Sequence, residues 1–163
     1  MKRTLNTLIG CTLILVGGLP AWADSTSSPG KSAAYTSLSG VGITTAEAEV
    51  ATVTILKGKK KRVLEVEGTA IESTNVVTAM GAKAYVNGVP MEPNGTNYQV
   101  HETCSASVIN CTVTGHWWLD LDAAEAANPG LFINQPLIVS FAALTAGANG
   151  TGVVSLRAKL VKK

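Results

Sequence analysis

The chain has 163 residues, with 13 Lys+Arg against 11 Asp+Glu. Its hydrophobic share of 46% can furnish one core, and a chain of this size buries roughly 70% of its unfolded surface as one domain. The positive excess lies in Lys2 and Arg3, and beyond them the charges balance at eleven each, which excludes a global field that would gather nucleic acid.

Lys2 and Arg3 precede an apolar run from Leu8 to Pro20 and then Ala21-Trp22-Ala23, a small-x-small site with Asp24 beyond it. This pattern reads as a secretory signal peptide over residues 1–23, cleaved after Ala23. The run is shorter than the about 20 residues of a spanning helix, so no transmembrane segment is expected once it is removed. The expected location is therefore secreted or periplasmic. Leu8-Ile9-Gly10-Cys11 resembles a lipoprotein cleavage box, but most of the apolar run follows Cys11 rather than preceding it. An uncleaved anchor is the remaining alternative.

Residues 24–44 are rich in Ser, Gly, Thr and Ala with few large apolar groups, and read as a flexible arm. The domain is expected over 45–163. Glu49–Leu56 is rich in β-branched residues, and Arg62–Gly68 alternates Leu64 and Val66 against Val63, Glu65 and Glu67. With Gly58 and the lysines between them, these predict a first hairpin. Asn75–Val86 supplies one or two more strands. Asn87-Gly88 then suits a tight turn that needs positive φ at both centres. The prolines of Val89–Pro93 confine the return to a short edge strand.

Asn97–Cys104 and Cys111–Leu121 predict a further hairpin, with a Cys104–Cys111 disulfide near its turn. Two cysteines close together in an exported chain favour such a bridge, which contributes roughly 2.5 kcal/mol by loop closure. Asp122 with Glu125 three residues on resembles a capping box for a helix of one or two turns that Pro129 ends. Gln135–Leu144 and Gly152–Lys162 complete a last hairpin. About 7–9 strands with one short helix predict an all-β protein, an antiparallel β-sandwich of jelly-roll or Ig-like type.

The segment Cys111–Asp122 holds the densest chemistry. Alternation sends Val113, Gly115, Trp117, Leu119 and Leu121 to one face, and Thr114, His116, Trp118, Asp120 and Asp122 to the other. Trp117 is expected in the core. Trp118 sits among polar neighbours, so His116, Trp118, Asp120 and Asp122 form a candidate ligand-binding face that could stack on a sugar. A Trp118 covered by a loop is the plainer reading. The histidines, His101 and His116, could meet as the centre of a small metal-dependent hydrolase, but no HxH or HExxH pattern supports a metal. Asp120 and Asp122 lack the glycine and downstream glutamate of a calcium loop. No nucleophile elbow, P-loop or dinucleotide fingerprint is present, and no catalytic residue, metal or cofactor is assigned.

Lys57, Lys59, Lys60, Lys61 and Arg62 form a candidate polyanion patch, with a solubilising edge-protecting turn as the alternative. If the last strand packs beside them, its four basic residues would merge into the same patch. Three Asn-x-Ser/Thr sequons begin at Asn94, Asn110 and Asn149, all in expected turns. The resulting expectation is an exported, non-catalytic β-sandwich binding or structural module of a bacterial periplasm or cell surface. A carbohydrate-binding module using Trp118 and the His101/His116 hydrolase are the alternatives. A glycan, a polyanion or a protein is the expected kind of partner.

Overall fold

The computed structural model describes residues 32–73, 79–93, 100–103, 110–147 and 150–163. The strands are β1 (Ala33–Ile43), β2 (Ala48–Ile55), β3 (Arg62–Ser73), β4 (Ala79–Val86), β5 (Val89–Pro90), β6 (Val100–Thr103), β7 (Asn110–Asp120), β8 (Leu137–Ala146) and β9 (Gly150–Lys162). One helix, α1 (Leu121–Ala127), follows β7 directly. Two antiparallel sheets pack face to face as an all-β sandwich. Sheet A has the order β1-β9-β3-β7, and sheet B has β2-β8-β4-β5, with β6 also pairing β4.

The alternation read from the sequence is present strand by strand. On β3, Leu64 and Val66 point into the sandwich, and on β9, Val154, Leu156 and Ala158 do the same. Connectivity differs from the expectation. Residues 49–56 and 62–68 do not form a hairpin, because β2 pairs β8 in sheet B while β3 pairs β7 and β9 in sheet A. Likewise β6 pairs β4 whereas β7 pairs β3, and β8 and β9 lie in opposite sheets. The physical reason is that a period of two specifies which face is buried but not which neighbour supplies the hydrogen bonds. A strand pair joined by an arch between sheets has the same alternation as a hairpin.

Asn87-Gly88 is the expected tight turn, with φ of 50° and 79° and β5 returning along the edge of β4. The arch from β2 to β3 is built differently. The Gly58 N–H donates to the Gln135 carbonyl at 2.8 Å, and its carbonyl accepts from the Asn134 N–H at 3.0 Å. Lys61, at φ 54°, donates its N–H to the Asp122 carboxylate at 3.0 Å. Backbone groups that a hairpin would pair within itself are here satisfied by the first turn of α1 and by the loop after the helix.

Within the segment 24–44 expected to be a flexible arm, the described residues form a strand instead. Ala33–Ile43 is an edge strand of sheet A, antiparallel to β9, and it buries Ala34, Thr36 and Ile43. Small residues on the inward face sufficed because the neighbouring strand, not β1 itself, carries the bulk of the core. The helix start also moves. Asp120, not Asp122, is the N-cap, accepting from the Asp122 N–H at 3.1 Å. Glu125 does not reach back as in a capping box; it accepts from the N–H groups of Gly130 (2.5 Å), Phe132 (2.8 Å) and Ile133 (2.9 Å). Those bonds hold its carboxyl below the usual range, that from Ile133 foremost.

At the centre of the core, Trp117 is 1% exposed and packs on Phe141 of sheet B with ring centroids 5.7 Å apart at 57°. This tilted arrangement suits the aromatic quadrupoles. Gly68 and Gly115 face each other across β3 and β7. A Cβ on Gly115 would lie 2.1 Å from the Trp117 ring, and one on Gly68 would lie 2.7 Å from the Phe141 ring. The glycine pair is therefore the notch that admits both rings. Gly115→Ala is expected to lower unfolding free energy by about 1–3 kcal/mol, as overpacking does, measured by urea denaturation. An unchanged midpoint would show that the rings can shift without cost.

Candidate functional site

The candidate residues on β7 divide on inspection. His116 and Trp118 project from the outer face of sheet A, and Trp118 remains 51% exposed. Its main chain is held from both sides. On one side β7 pairs β3, with Trp118 opposite Glu65. On the other, the Trp118 N–H donates to the Glu92 carbonyl at 2.8 Å and its carbonyl accepts from the Glu92 N–H at 3.1 Å. The ring is thus an exposed aromatic on a fixed backbone.

Asp120 and Asp122 have other roles. Asp120 caps α1 and forms an ion pair with Lys163. That ammonium, together with the helix N–H groups, holds its carboxyl below the usual range. Asp122 accepts the Lys61 N–H, closing the β2–β3 arch. Both aspartates join elements at one end of the sandwich, and Asp120, opposite Val63, holds the next same-face position of β7 after Trp118.

Strand order supplies the neighbours that the sequence left unplaced. Because β3 and β9 lie between β7 and β1, the outer face carries rows that cross four strands. One row runs Tyr35, Arg157, Glu67, His116, and the next runs Ala33, Lys159, Glu65, Trp118. At about 4.8 Å between strands, each row spans roughly 14 Å. Lys159 Nζ meets Glu65 Oε2 at 2.8 Å, an exposed pair contributing about 0–1 kcal/mol. A third row, Ser37, Ser155, Thr69, Thr114, adds hydroxyls, with Thr69 and Thr114 bonded at 3.1 Å. Glu65, Glu67, His116, Arg157 and Lys159 line a shallow, open depression. Tyr35, 52% exposed, and Trp118 stand at opposite margins of this charged strip.

Tyr35, Glu65 and Glu67 were not among the candidates from sequence, and Arg157 and Lys159 entered only as part of the basic patch expected with residues 57–62, not with His116 and Trp118. The alternation of β3 and β9 already put the four charged residues on outward faces. Only the pairing of β9 between β1 and β3 reveals that they share a surface with His116.

His101 lies on β6, at the register position opposite Gly81 of β4, so the histidines belong to opposite sheets. Among the described residues no group of three or more His, Cys, Asp or Glu is placed to hold a metal. Lys57, Lys59, Lys60 and Lys61 are exposed on the β2–β3 arch, and Arg62 begins β3 opposite Lys162 of β9. Cys111 is buried at the start of β7 and is disulfide-bonded. Cys104, its expected partner, lies outside the described residues, as do residues 1–31, which hold the expected signal peptide and the start of the expected arm. Neither a protein-family model nor a curated protein matches this chain.

One buried acid stands apart from the outer face. Glu72 is 0% exposed, and its carboxylate oxygens have no hydrogen-bond partner among the described residues, nor does the buried Thr145 hydroxyl. It points inward at the end of β3, against Gly150. Burial pushes its carboxyl above the usual range, the Thr145 hydroxyl acting in the opposite sense. A raised folded-state value means that the native fold favours the protonated acid. Its contribution is fully present below the ordinary carboxylate value of 4.5 and is lost as pH rises through the raised one. Glu72→Gln is therefore expected to stabilise the protein at neutral pH and to flatten the decline in stability above pH 4.5, followed by thermal melts across pH. Destabilisation at neutral pH would show that the carboxylate is satisfied and ionised.

Proposed function

We propose that the protein is an exported, non-catalytic binding module that presents the outer face of sheet A to a glycan. The observation that carries this reading is Trp118, half-exposed on a backbone pinned from both sides, beside His116 and the Glu65–Lys159 pair. A large ring left in water on a rigid strand gains by stacking on the apolar face of a sugar. The carboxylates, guanidinium and hydroxyls beside it can bind ring hydroxyls. A sheet scaffold holds such groups with less ordering cost than a loop.

Export is supported by the basic–apolar–small pattern of residues 1–23 and by the disulfide at Cys111, since such bonds persist in oxidising compartments. Cys104 is the proposed partner, being the other cysteine beyond the signal segment. The location proposed is the periplasm or cell surface of a bacterium, with the mature chain starting at Asp24.

A glycan array probed with the protein recovered after export is the test. Wild type is expected to bind a defined subset of glycans, and Trp118→Ala to lose at least about tenfold in affinity while keeping its far-ultraviolet dichroism. That factor corresponds to about 1.4 kcal/mol, within the range for one aromatic contact. Binding that Trp118→Ala leaves unchanged would remove this face from the account.

A further inference from the structure

The positively charged end of the sandwich carries a second surface, separate from the outer face of sheet A. Lys57, Lys59, Lys60 and Lys61 project from the β2–β3 arch. The last strand brings more charge to the same place, because Lys162 is paired with Arg62 and the Lys163 N–H donates to the Lys61 carbonyl at 3.4 Å. Of the three acids at this end, Asp120 is engaged by Lys163, Asp122 by the Lys61 N–H and Glu125 by three backbone N–H groups. Among the described residues none of Lys57, Lys59, Lys60, Lys61, Arg62 or Lys162 has an ion-pair partner. Six cations without an ion-pair partner are thus gathered on one end, where they outnumber the two carboxylates, Asp122 and Glu125, that backbone N–H groups hold.

An aliphatic group stands among them. Leu56, at the foot of the arch, is 48% exposed. Leu131 and Ile133, in the loop that bonds to Gly58, are only partly buried against the core. Flexible lysines around a projecting aliphatic side chain fit a surface that is anionic at its face and apolar beneath. They fit an acidic polysaccharide or a nucleic acid less well, since neither offers Leu56 anything. Among the described residues the exposed aromatic rings that would stack on sugars or bases, Tyr35 and Trp118, lie on the outer face of sheet A.

We infer that this end docks on an anionic lipid bilayer, with the ammonium groups of Lys57, Lys59, Lys60, Lys61 and Lys162 and the Arg62 guanidinium among the phosphate headgroups and Leu56 entering the interface. Each lysine near an anionic leaflet adds to binding, and the attraction falls within a Debye length. The proposed contact is peripheral, made by side chains of the arch and of the end of β9.

Co-sedimentation with phosphatidylcholine vesicles, with and without phosphatidylglycerol, tests the inference. At low salt the protein is expected to pellet with the anionic vesicles at least about tenfold better than with the neutral ones, and to be released at high salt. The double substitution Lys59→Glu with Lys60→Glu is expected to reduce binding by a further factor of about ten or more. Leu56→Ser is expected to weaken vesicle binding and leave retention on a heparin-type resin unchanged. These residues are exposed, and circular dichroism confirms that each variant is folded. Absence of pelleting with anionic vesicles, or pelleting that the lysine reversals leave intact, overturns the inference. Vesicle binding that Leu56→Ser does not weaken reduces the surface to a general polyanion site and overturns the lipid assignment.

Discussion

Two glycines facing each other on β3 and β7 make room for two rings, Trp117 from the same sheet and Phe141 from the opposite one. Sheets in a sandwich lie about 10 Å apart, and the largest residue in the core has to be accommodated within that gap. Here the accommodation comes from removing two Cβ atoms directly beneath the rings. The consequence reaches beyond packing. Seating Trp117 fixes the register and facing of β7, and because a strand alternates, it also fixes which side Trp118 occupies. A one-residue slip would drive Trp118 towards the glycine notch and put Trp117 in water. The functional face thus depends on a steric fit on the buried side of the same strand.

That strand then acts as a frame for chemistry drawn from the rest of sheet A. β3 contributes Glu65 and Glu67, β9 contributes Arg157 and Lys159, and β1 contributes Tyr35. None of these is close to Trp118 in sequence. The connections that cross between the sheets, from β2 to β3, β6 to β7 and β8 to β9, are what allow an early strand, a late strand and a middle strand to lie side by side. The same connections place the β2–β3 arch, the loop after α1 and the end of β9 together at one end, so the cations of residues 57–62 and of 162–163 meet there. An aromatic and hydroxyl-bearing face and a basic, aliphatic end are therefore separate surfaces with different chemistry.

Much of this was legible in the chain. The division of the tryptophan pair, the buried faces of β3, β7 and β9, the Asn87-Gly88 turn and the short proline-limited edge strand all follow from local rules, because each concerns a residue and its immediate neighbours. What could not be read is which strands pair, since alternation is blind to the partner. That one ambiguity accounts for the hairpins expected across residues 49–68, 97–121 and 135–162, and for the omission of Tyr35 and Arg157 from the candidate face. The β1 strand was hidden for a different reason. Its inward residues include Ala34 and Thr36, small enough to look like a linker, yet they fit against β9 where larger ones would not be needed. The helix cap was missed by two residues because Asp120 and Asp122 are equivalent by composition, and only the strand's end decides between them.

The central claim is that β7 holds one indole inside the sandwich and presents the next to solvent. Hydrogen exchange of the two indole N–H groups, followed by NMR, tests it most directly. The Trp117 Nε1–H is buried with no hydrogen-bond partner among the described residues, so its protection would come from burial alone. The account predicts slow exchange at Trp117, lost only with opening of the sandwich, and exchange at Trp118 at the rate of a free indole. Equal rates for the two, or protection at Trp118, would contradict it.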